Sequence, residues 1–99
     1  MTSKQRAYLM SLASKLDPVF HMGKASLTTE FEDAIKEVLE TKELIKISVL
    51  KNCADDPKEI AQILAKDTRS EVVQVIGKKI VLYKQADEPA QRKLKLPVS

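Results

Sequence analysis

The sequence predicts one α/β domain in which a four-stranded mixed sheet carries helices on both faces. A chain of 99 residues, 43% of them hydrophobic, can bury one core but hardly two. Segments with apolar residues at helical spacing alternate with β-rich runs in the order α-β-α-β-α-β-β. The last two β-rich runs are apolar on both sides, and a sheet of that kind must be covered on both faces.

Local signals predict the first helix and the first strand. Thr2 with Gln5 three residues later forms a capping-box signature, and the apolar residues that follow repeat at helical spacing. We therefore predict a helix over residues 3–16. Pro18 cannot continue a helix and favours an extended conformation in the residue before it, so residues 19–22 are predicted to form a short strand.

The second helix is predicted to be amphipathic with an acidic outer face. Along residues 27–40 the apolar residues recur at helical spacing, and acidic residues lie between them. Over residues 43–50 the pattern changes to alternation, since Lys46 lies between Ile45 and Ile47. Such alternation is typical of a strand with one better-buried face.

A third helix and a final hairpin complete the predicted domain. Asp56 offers an N-cap and Pro57 occupies the first helical position, so a helix is predicted from there to about Lys66. Two β-rich runs then meet at Gly77, which predicts a hairpin. We expect the strands joined through helices to be parallel with right-handed crossovers, and the hairpin to add an antiparallel partner.

The hairpin also predicts where the helices pack. If Gly77 and Lys78 are the two turn residues, alternation defines two apolar faces. One face would carry Val73, Val75, Ile80 and Leu82, and the other Val72, Ile76, Val81 and Tyr83. Helix 1 is therefore expected on the face opposite the two crossover helices. Residues 85–99 contain prolines and charges without a sustained period, so we predict a domain over residues 1–84 followed by a flexible, weakly basic tail.

Charge and composition favour a cytoplasmic protein with a basic surface. The net charge is +3, but residues 27–43 hold six acidic and only two basic side chains, so the remaining surface is more basic than the total indicates. No apolar run approaches the roughly 20 residues of a membrane helix, and residues 1–6 are too polar to begin a signal peptide. A single cysteine, Cys53, fits a reducing compartment. We expect no membrane association.

The chain has few residues suited to catalysis. It holds one histidine, one cysteine and scattered carboxylates, whereas enzymes need a positioned acid, base or nucleophile. His21 could face the core, the solvent or a phosphate group. No Cys/His spacing typical of a metal site and no phosphate-loop glycine pattern occurs. We therefore expect neither an enzyme nor a cofactor.

The loop over residues 23–26 is the most informative local feature. It combines a strand exit, a flexible glycine at Gly23, a cation at Lys24 and the predicted start of helix 2. Free N–H groups at a helix start bind anions, so one phosphate group of a nucleic acid could be held there. An ordinary strand-to-helix connection is the alternative. Aromatic residues are few and form no base-stacking platform, so recognition would depend on the nucleic-acid backbone and its shape.

Five blocks of the sequence together resemble the CRM (YhbY-like) family of RNA-binding proteins. They are residues 2–9, 19–24, 44–47, 57–61 and 73–83. The resemblance implies a domain similar to the C-terminal domain of translation initiation factor 3. It also implies a monomer that binds ribosomal RNA in precursors of the large ribosomal subunit (pre-50S) during ribosome biogenesis. Ribosomal proteins are further candidate partners.

The resemblance also implies which residues contact RNA. The family's RNA-facing loop carries a G-x-x-G pattern like that of KH domains. Gly23 would allow close approach of the RNA backbone, and the start of helix 2 near Ala25 and Ser26 would donate N–H groups. The expected phosphate-neutralising side chains are Lys4, Arg6, Lys24 and Lys78.

The sequence departs from that loop pattern at Ser26. The family usually has its second glycine there, and serine restricts both close approach and positive φ. Weaker RNA binding is therefore expected, although Ser26 could instead cap helix 2. The rival hypothesis is a protein–protein adaptor, in which the acidic face of helix 2, with Glu37 and Glu40, contacts a basic protein of the assembling ribosome.

Overall fold

The predicted order of helices and strands is confirmed. The computed structural model describes residues 1–24 and 27–86, together with Ala90 and Leu94. The elements of this part of the chain are α1 (Ser3–Ala13), β1 (Phe20–Met22), α2 (Thr29–Lys42), β2 (Leu44–Val49), α3 (Pro57–Thr68), β3 (Glu71–Ile76) and β4 (Lys79–Tyr83). None of these helices is long and apolar enough to cross a membrane.

Helix α1 begins as predicted and ends earlier. The Thr2 side chain accepts a hydrogen bond from the Gln5 N–H group, and the Gln5 side chain accepts one from the Thr2 N–H group. The helix ends at Ala13 rather than at residue 16. After Ala13 the chain makes only a tight turn, because the Leu16 N–H group donates to the Ala13 carbonyl, three residues back instead of four.

The four strands form one mixed sheet in the order β1-β2-β4-β3. Strand β1 is parallel to β2, and β4 is antiparallel to both β2 and β3. Strands β2 and β3 therefore run in the same direction, as expected for strands joined through a helix, but β4 lies between them. The hairpin places β4 at the centre of the sheet, where both of its edges are paired.

Helices cover both faces of the sheet, as predicted. Helices α2 and α3 pack on one face, where the core consists of Met22, Ile35, Leu39, Ile45, Ile47, Val49, Ile60, Ala61, Leu64, Ile80 and Leu82. Helix α1 packs on the other face, where the core consists of Leu9, Ala13, Leu44, Val73, Val81 and Tyr83. Strands β2 and β4 contribute side chains to both cores, since successive side chains of a strand point to opposite faces.

The predicted faces of Val72 and Val73 are wrong. Val72 pairs with Leu82, and Gln74 pairs with Val81, so Val73 is an extra residue in β3. Such a bulge reverses the alternation on its N-terminal side. Val73 consequently lies in the α1 core, whereas Val72 packs against the opposite core. From Val75 onward the predicted faces are correct.

A buried glutamate joins the end of α2 to the chain beyond β4. Glu43 is fully buried and adopts a φ of 62°. Its carboxylate accepts hydrogen bonds from the N–H groups of Ala86 at 2.8 Å and Leu94 at 3.0 Å. Ala86 is buried, and Leu94 packs against the α1 core. The expected tail over residues 85–99 otherwise lies outside the described residues.

Candidate functional site

Three connections meet at one end of the sheet. The Leu50 N–H group donates to the Met22 carbonyl at 2.8 Å, and the Val49 N–H group donates to the Lys78 carbonyl at 2.7 Å. These bonds hold the β1–α2 loop, the chain after β2 and the hairpin turn together. We call this region the loop end; it comprises Gly23, Lys24, Lys51, Asn52, Gly77 and Lys78. Its three lysines are exposed.

The two glycines of the loop end differ in what they permit. A Cβ atom on Gly23 would lie 3.4 Å from Asn52 Oδ1 and 3.8 Å from a Leu50 methyl group, which is ordinary contact. Gly77 has open space around it but a φ of 54°, which favours glycine. Gly77 is thus required by the hairpin turn, whereas a small side chain at Gly23 is compatible with the fold.

Helix α2 starts later than the RNA-contact hypothesis assumed. Its N-cap is Thr28, whose hydroxyl accepts a hydrogen bond from the Phe31 N–H group at 3.1 Å. Ser26 is therefore not the cap, and the helix-start N–H groups follow Thr28 instead of lying near Ala25 and Ser26. Ala25 and Ser26 themselves lie outside the described residues, so their predicted RNA contacts stay a prediction.

Acidic groups reduce the attraction of the α2 start for phosphate. Glu30 and Glu32 lie in the first turn of the helix. A hydrogen bond with Asp67, burial and the Asp67 charge raise the pKa of Glu32, and nearby Lys36 opposes this. Carboxylates at a helix start interact favourably with the positive end of the helix dipole, so the helix attracts an external anion less strongly. The lysines of the loop end are therefore better placed than the α2 start to bind a phosphate group.

The part of the sheet face beyond the end of α1 is only partly covered, since His21, Ile76 and Lys79 are exposed there while Ser48 is buried. Helix α1 packs over Leu44, Val73 and Tyr83, and it ends before the row of paired residues nearest the hairpin turn. In this row four side chains lie side by side, because His21 pairs with Ser48, Ser48 with Lys79 and Lys79 with Ile76. We call this surface the open face; it comprises His21, Lys46, Ser48, Gln74, Ile76 and Lys79.

The open face is polar and basic beside one apolar side chain. The Lys79 ammonium group donates to the Ser48 hydroxyl at 3.0 Å, which fixes it above the strands. His21 is exposed, so of its three alternatives a core position is ruled out. Ile76 is 61% exposed. Within the described residues, no group of three His, Cys, Asp or Glu side chains could hold a metal ion.

A cavity lies between the C-terminal end of α1 and the open face. Its volume is about 200 Å³, and its lining residues are Met10, Ala13, Ser14, Lys46, Gln74, Ile76, Lys79 and Val81. The side-chain oxygen of Gln74 is buried there without a hydrogen-bond partner among the described residues. A larger cavity of about 440 Å³ lies at the opposite end of the sheet, beside Glu71 and Arg69.

The structure brings together only some of the predicted RNA-contact residues. Gly23, Lys24 and Lys78 meet at the loop end, whereas Lys4 and Arg6 lie at the start of α1, toward the other end of the sheet. The Arg6 guanidinium donates to the carbonyls of Val72 and Val73, both at 3.0 Å, so it supports the bulge.

Sequence reasoning missed several residues that share this surface. Lys46, Lys51, Asn52 and Gln74 were not predicted as site residues, yet they lie at the loop end or on the open face. The alternation of Lys46 and Ser48 with buried residues of β2 was the available signal. This alternation indicates a polar face. That α1 does not cover the whole face follows only from the structure, in which the helix ends at Ala13.

The exposed acidic side chains along α2 lie on the other side of the sheet from the open face. Helix α2 packs on the other face of the sheet, and its side chains Glu37 and Glu40 are exposed. The sheet therefore separates the acidic surface of α2 from the lysines of the open face. This arrangement supports the expectation, drawn from the distribution of charge along the chain, of a surface more basic than the net charge indicates.

Comparison with known proteins gives consistent matches over almost the whole chain. The family model of the CRS1 / YhbY (CRM) domain matches residues 1–84. The chain is 45% identical to the probable RNA-binding protein YqeI of Bacillus subtilis over 95% of this chain and 98% of that protein. It is 32% identical to an RNA-binding protein of Haemophilus influenzae over 98% and 95% of the two chains. The solution structure of the protein SAV1595 from Staphylococcus aureus superposes with a TM-score of 0.80 at 45% identity, covering 98% of this chain and 99% of that one.

Proposed function

Because the chain belongs to the CRS1 / YhbY (CRM) domain family, we propose that it binds ribosomal RNA and acts in assembly of the large ribosomal subunit. The RNA would be bound at the loop end, with phosphate groups extending toward Lys46 and Lys79. The protein would act in the cytoplasm as a monomer and without a cofactor. Relatives named as RNA-binding proteins support the binding of RNA.

The observation that carries the proposal is the convergence of lysines from separate parts of the chain. Lys24, Lys51 and Lys78 come from three connections that hydrogen bonds hold at one end of the sheet. Each lysine that meets a phosphate group releases counterions, so affinity should fall steeply with salt. Gly23 adds a position where the RNA backbone can come close to the protein backbone.

The test is binding of purified large-subunit ribosomal RNA at two salt concentrations. Lys24→Glu should weaken binding strongly, because it removes one phosphate contact and adds repulsion. Lys66→Glu is the matched control, since Lys66 is an exposed lysine in the last turn of α3 on the opposite face of the sheet. Equal affinity for the two variants would argue against binding at the loop end.

The adaptor alternative rests on the exposed acidic side chains of α2. It predicts that Glu37→Lys combined with Glu40→Lys abolishes association with ribosomal particles while affinity for purified RNA survives. The RNA-binding proposal predicts that association with particles survives this double change. Comparing particle association with RNA affinity in the same variant separates the two functions.

A further inference from the structure

Gln74 lines a cavity at the end of α1 that the contacts proposed at the loop end leave unused. Its oxygen is buried and has no hydrogen-bond partner among the described residues. A buried polar atom without a partner costs free energy, so a rotation of this side chain that lets its oxygen accept a hydrogen bond from a ligand in the cavity would be favourable. Lys46 and Lys79 line the same cavity, whose volume is about 200 Å³.

The size and lining of the cavity fit a single aromatic ring system. An engineered cavity of about 150 Å³ accepts benzene, and this cavity is larger. Met10 and Ile76 supply apolar walls, and both side chains are exposed, at 39% and 61%. Methionine adapts its shape to flat partners because its side chain is unbranched and polarizable.

The polar groups around the cavity favour a nucleotide. A carboxamide can both accept and donate hydrogen bonds, and this matches the edges of nucleobases. Lys46 and Lys79 line the same cavity, and their ammonium groups suit the phosphate groups on either side of a nucleotide. An apolar ligand would leave the Gln74 oxygen without a partner, and it would use neither the Lys46 ammonium group nor the N–H donors that Lys79 has beyond its bond to Ser48.

We propose that the cavity between the end of α1 and the open face binds one unstacked base of an RNA strand, with the Gln74 carboxamide on the base edge and Lys46 and Lys79 on the flanking phosphates. This inference rests on the proposed RNA-binding function. The protein should then bind RNA that has an unpaired nucleotide more tightly than fully paired RNA. Single-stranded loops and bulges are where bases can be splayed out in this way.

The test compares a fully paired RNA hairpin with the same hairpin carrying one bulged nucleotide, in four versions with A, C, G or U. Fluorescence anisotropy gives the ratio of the two affinities for each protein variant. The wild-type protein should prefer at least one bulged hairpin by about tenfold, on the scale of one stacked base. Gln74→Leu and Ile76→Ala should each reduce that ratio by about threefold or more.

Matched controls come from the exposed surface of α3. Gln62→Leu and Ile63→Ala make the same chemical changes at exposed positions on the other face of the sheet, and they should keep the wild-type ratio. A wild-type protein that binds both hairpins equally would overturn this inference while leaving the proposed function intact. A preference that survives both Gln74→Leu and Ile76→Ala would overturn it as well. Failure to bind either hairpin or ribosomal RNA would overturn the proposed function itself.

Discussion

The N–H group of Val49 donates a 2.7 Å hydrogen bond to the carbonyl of Lys78, so the hairpin turn is held against the end of β2. This bond joins two segments that the sequence separates by almost a third of the chain. It places Lys78 beside the chain that continues to Lys51, and the neighbouring bond from Leu50 to Met22 brings in the β1–α2 loop. The proposed phosphate-binding surface exists because of these main-chain contacts.

Gly77→Ala is expected to lower the free energy of unfolding by about 1 kcal/mol, because alanine is disfavoured at the positive φ of this turn. No atom lies within 4 Å of the added Cβ, so the cost comes from the backbone alone. Urea denaturation measures it. Gly23→Ala is the control, since a methyl group there meets only ordinary contacts. Equal losses in the two variants would contradict this explanation.

Neutralising lysines of the loop end should reduce the salt dependence of RNA binding. Lys24→Gln and Lys78→Gln each remove one expected phosphate contact, and the slope of log affinity against log salt should become shallower by roughly 0.7 to 0.9 per contact. Lys66→Gln should leave the slope unchanged, because Lys66 lies in the last turn of α3, on the sheet face that does not carry α1. Titrations at several salt concentrations supply the slopes. The same slope in all three variants would place the RNA elsewhere.

Ser26→Gly is expected to tighten RNA binding. Glycine would restore the second glycine of the loop pattern that the sequence resembles, and it would relieve the restriction on close approach and on φ. Affinity for ribosomal RNA, measured beside Ser14→Gly as a substitution outside that loop, tests the idea. Unchanged or weaker binding by Ser26→Gly would show that serine is no handicap in this loop.

Glu43→Gln should destabilise the fold. The Glu43 carboxylate accepts N–H groups from Ala86 and Leu94, and a carboxamide replaces one acceptor oxygen with a donor. We expect a loss of about 2 kcal/mol, typical of hydrogen bonds to a charged group. Glu40→Gln, an exposed change on α2, is the control. Urea denaturation that gives equal stabilities would mean that Glu43 does not hold the segment after β4.

Glu32 should make stability depend on pH. Its pKa is raised in the folded protein, chiefly by Asp67, so folding favours the protonated form. Its contribution is therefore full at pH values below the usual glutamate pKa, and it is lost as pH rises through the raised pKa. Glu32→Gln should be more stable than wild type at neutral pH, by up to about 0.5 kcal/mol after solvent screening.

That stability gain should shrink as the pH is lowered, because Glu32 then becomes neutral in the wild-type protein as well. Denaturation curves at several pH values measure it. Glu37→Gln is the control, since Glu37 is exposed on the outer side of the same helix. A gain that stays constant with pH would show that repulsion between Glu32 and Asp67 is not its cause.

Features set by neighbouring residues were predictable from the sequence. The capping box at Thr2, the cap and proline before α3 and the glycine turn at Gly77 all act within a few residues, and the structure confirms the elements that they start or join. The covering of both sheet faces followed from alternation in β4. Local chemistry was sufficient in these cases because the interacting groups are close in the chain.

Features set by distant residues were not predictable. The bulge at Val73 carries no local glycine, and its carbonyl is bonded by Arg6 from another element. In the sequence, Glu43 is indistinguishable from the other acidic residues at the end of α2. In the structure it is a buried acceptor of hydrogen bonds from the N–H groups of Ala86 and Leu94. The open face depends on α1 ending at Ala13. Each of these requires the three-dimensional arrangement of segments far apart in the chain.

Binding of this protein to ribosomal RNA in assembling particles can be measured by sedimentation of cell extract on a density gradient at low and moderate salt, with each fraction probed for the protein. The wild-type protein should migrate with precursors of the large ribosomal subunit, and raised salt or Lys24→Glu should release it while Lys66→Glu should not. Migration only with free protein under every condition would contradict the claim that this chain binds ribosomal RNA during assembly.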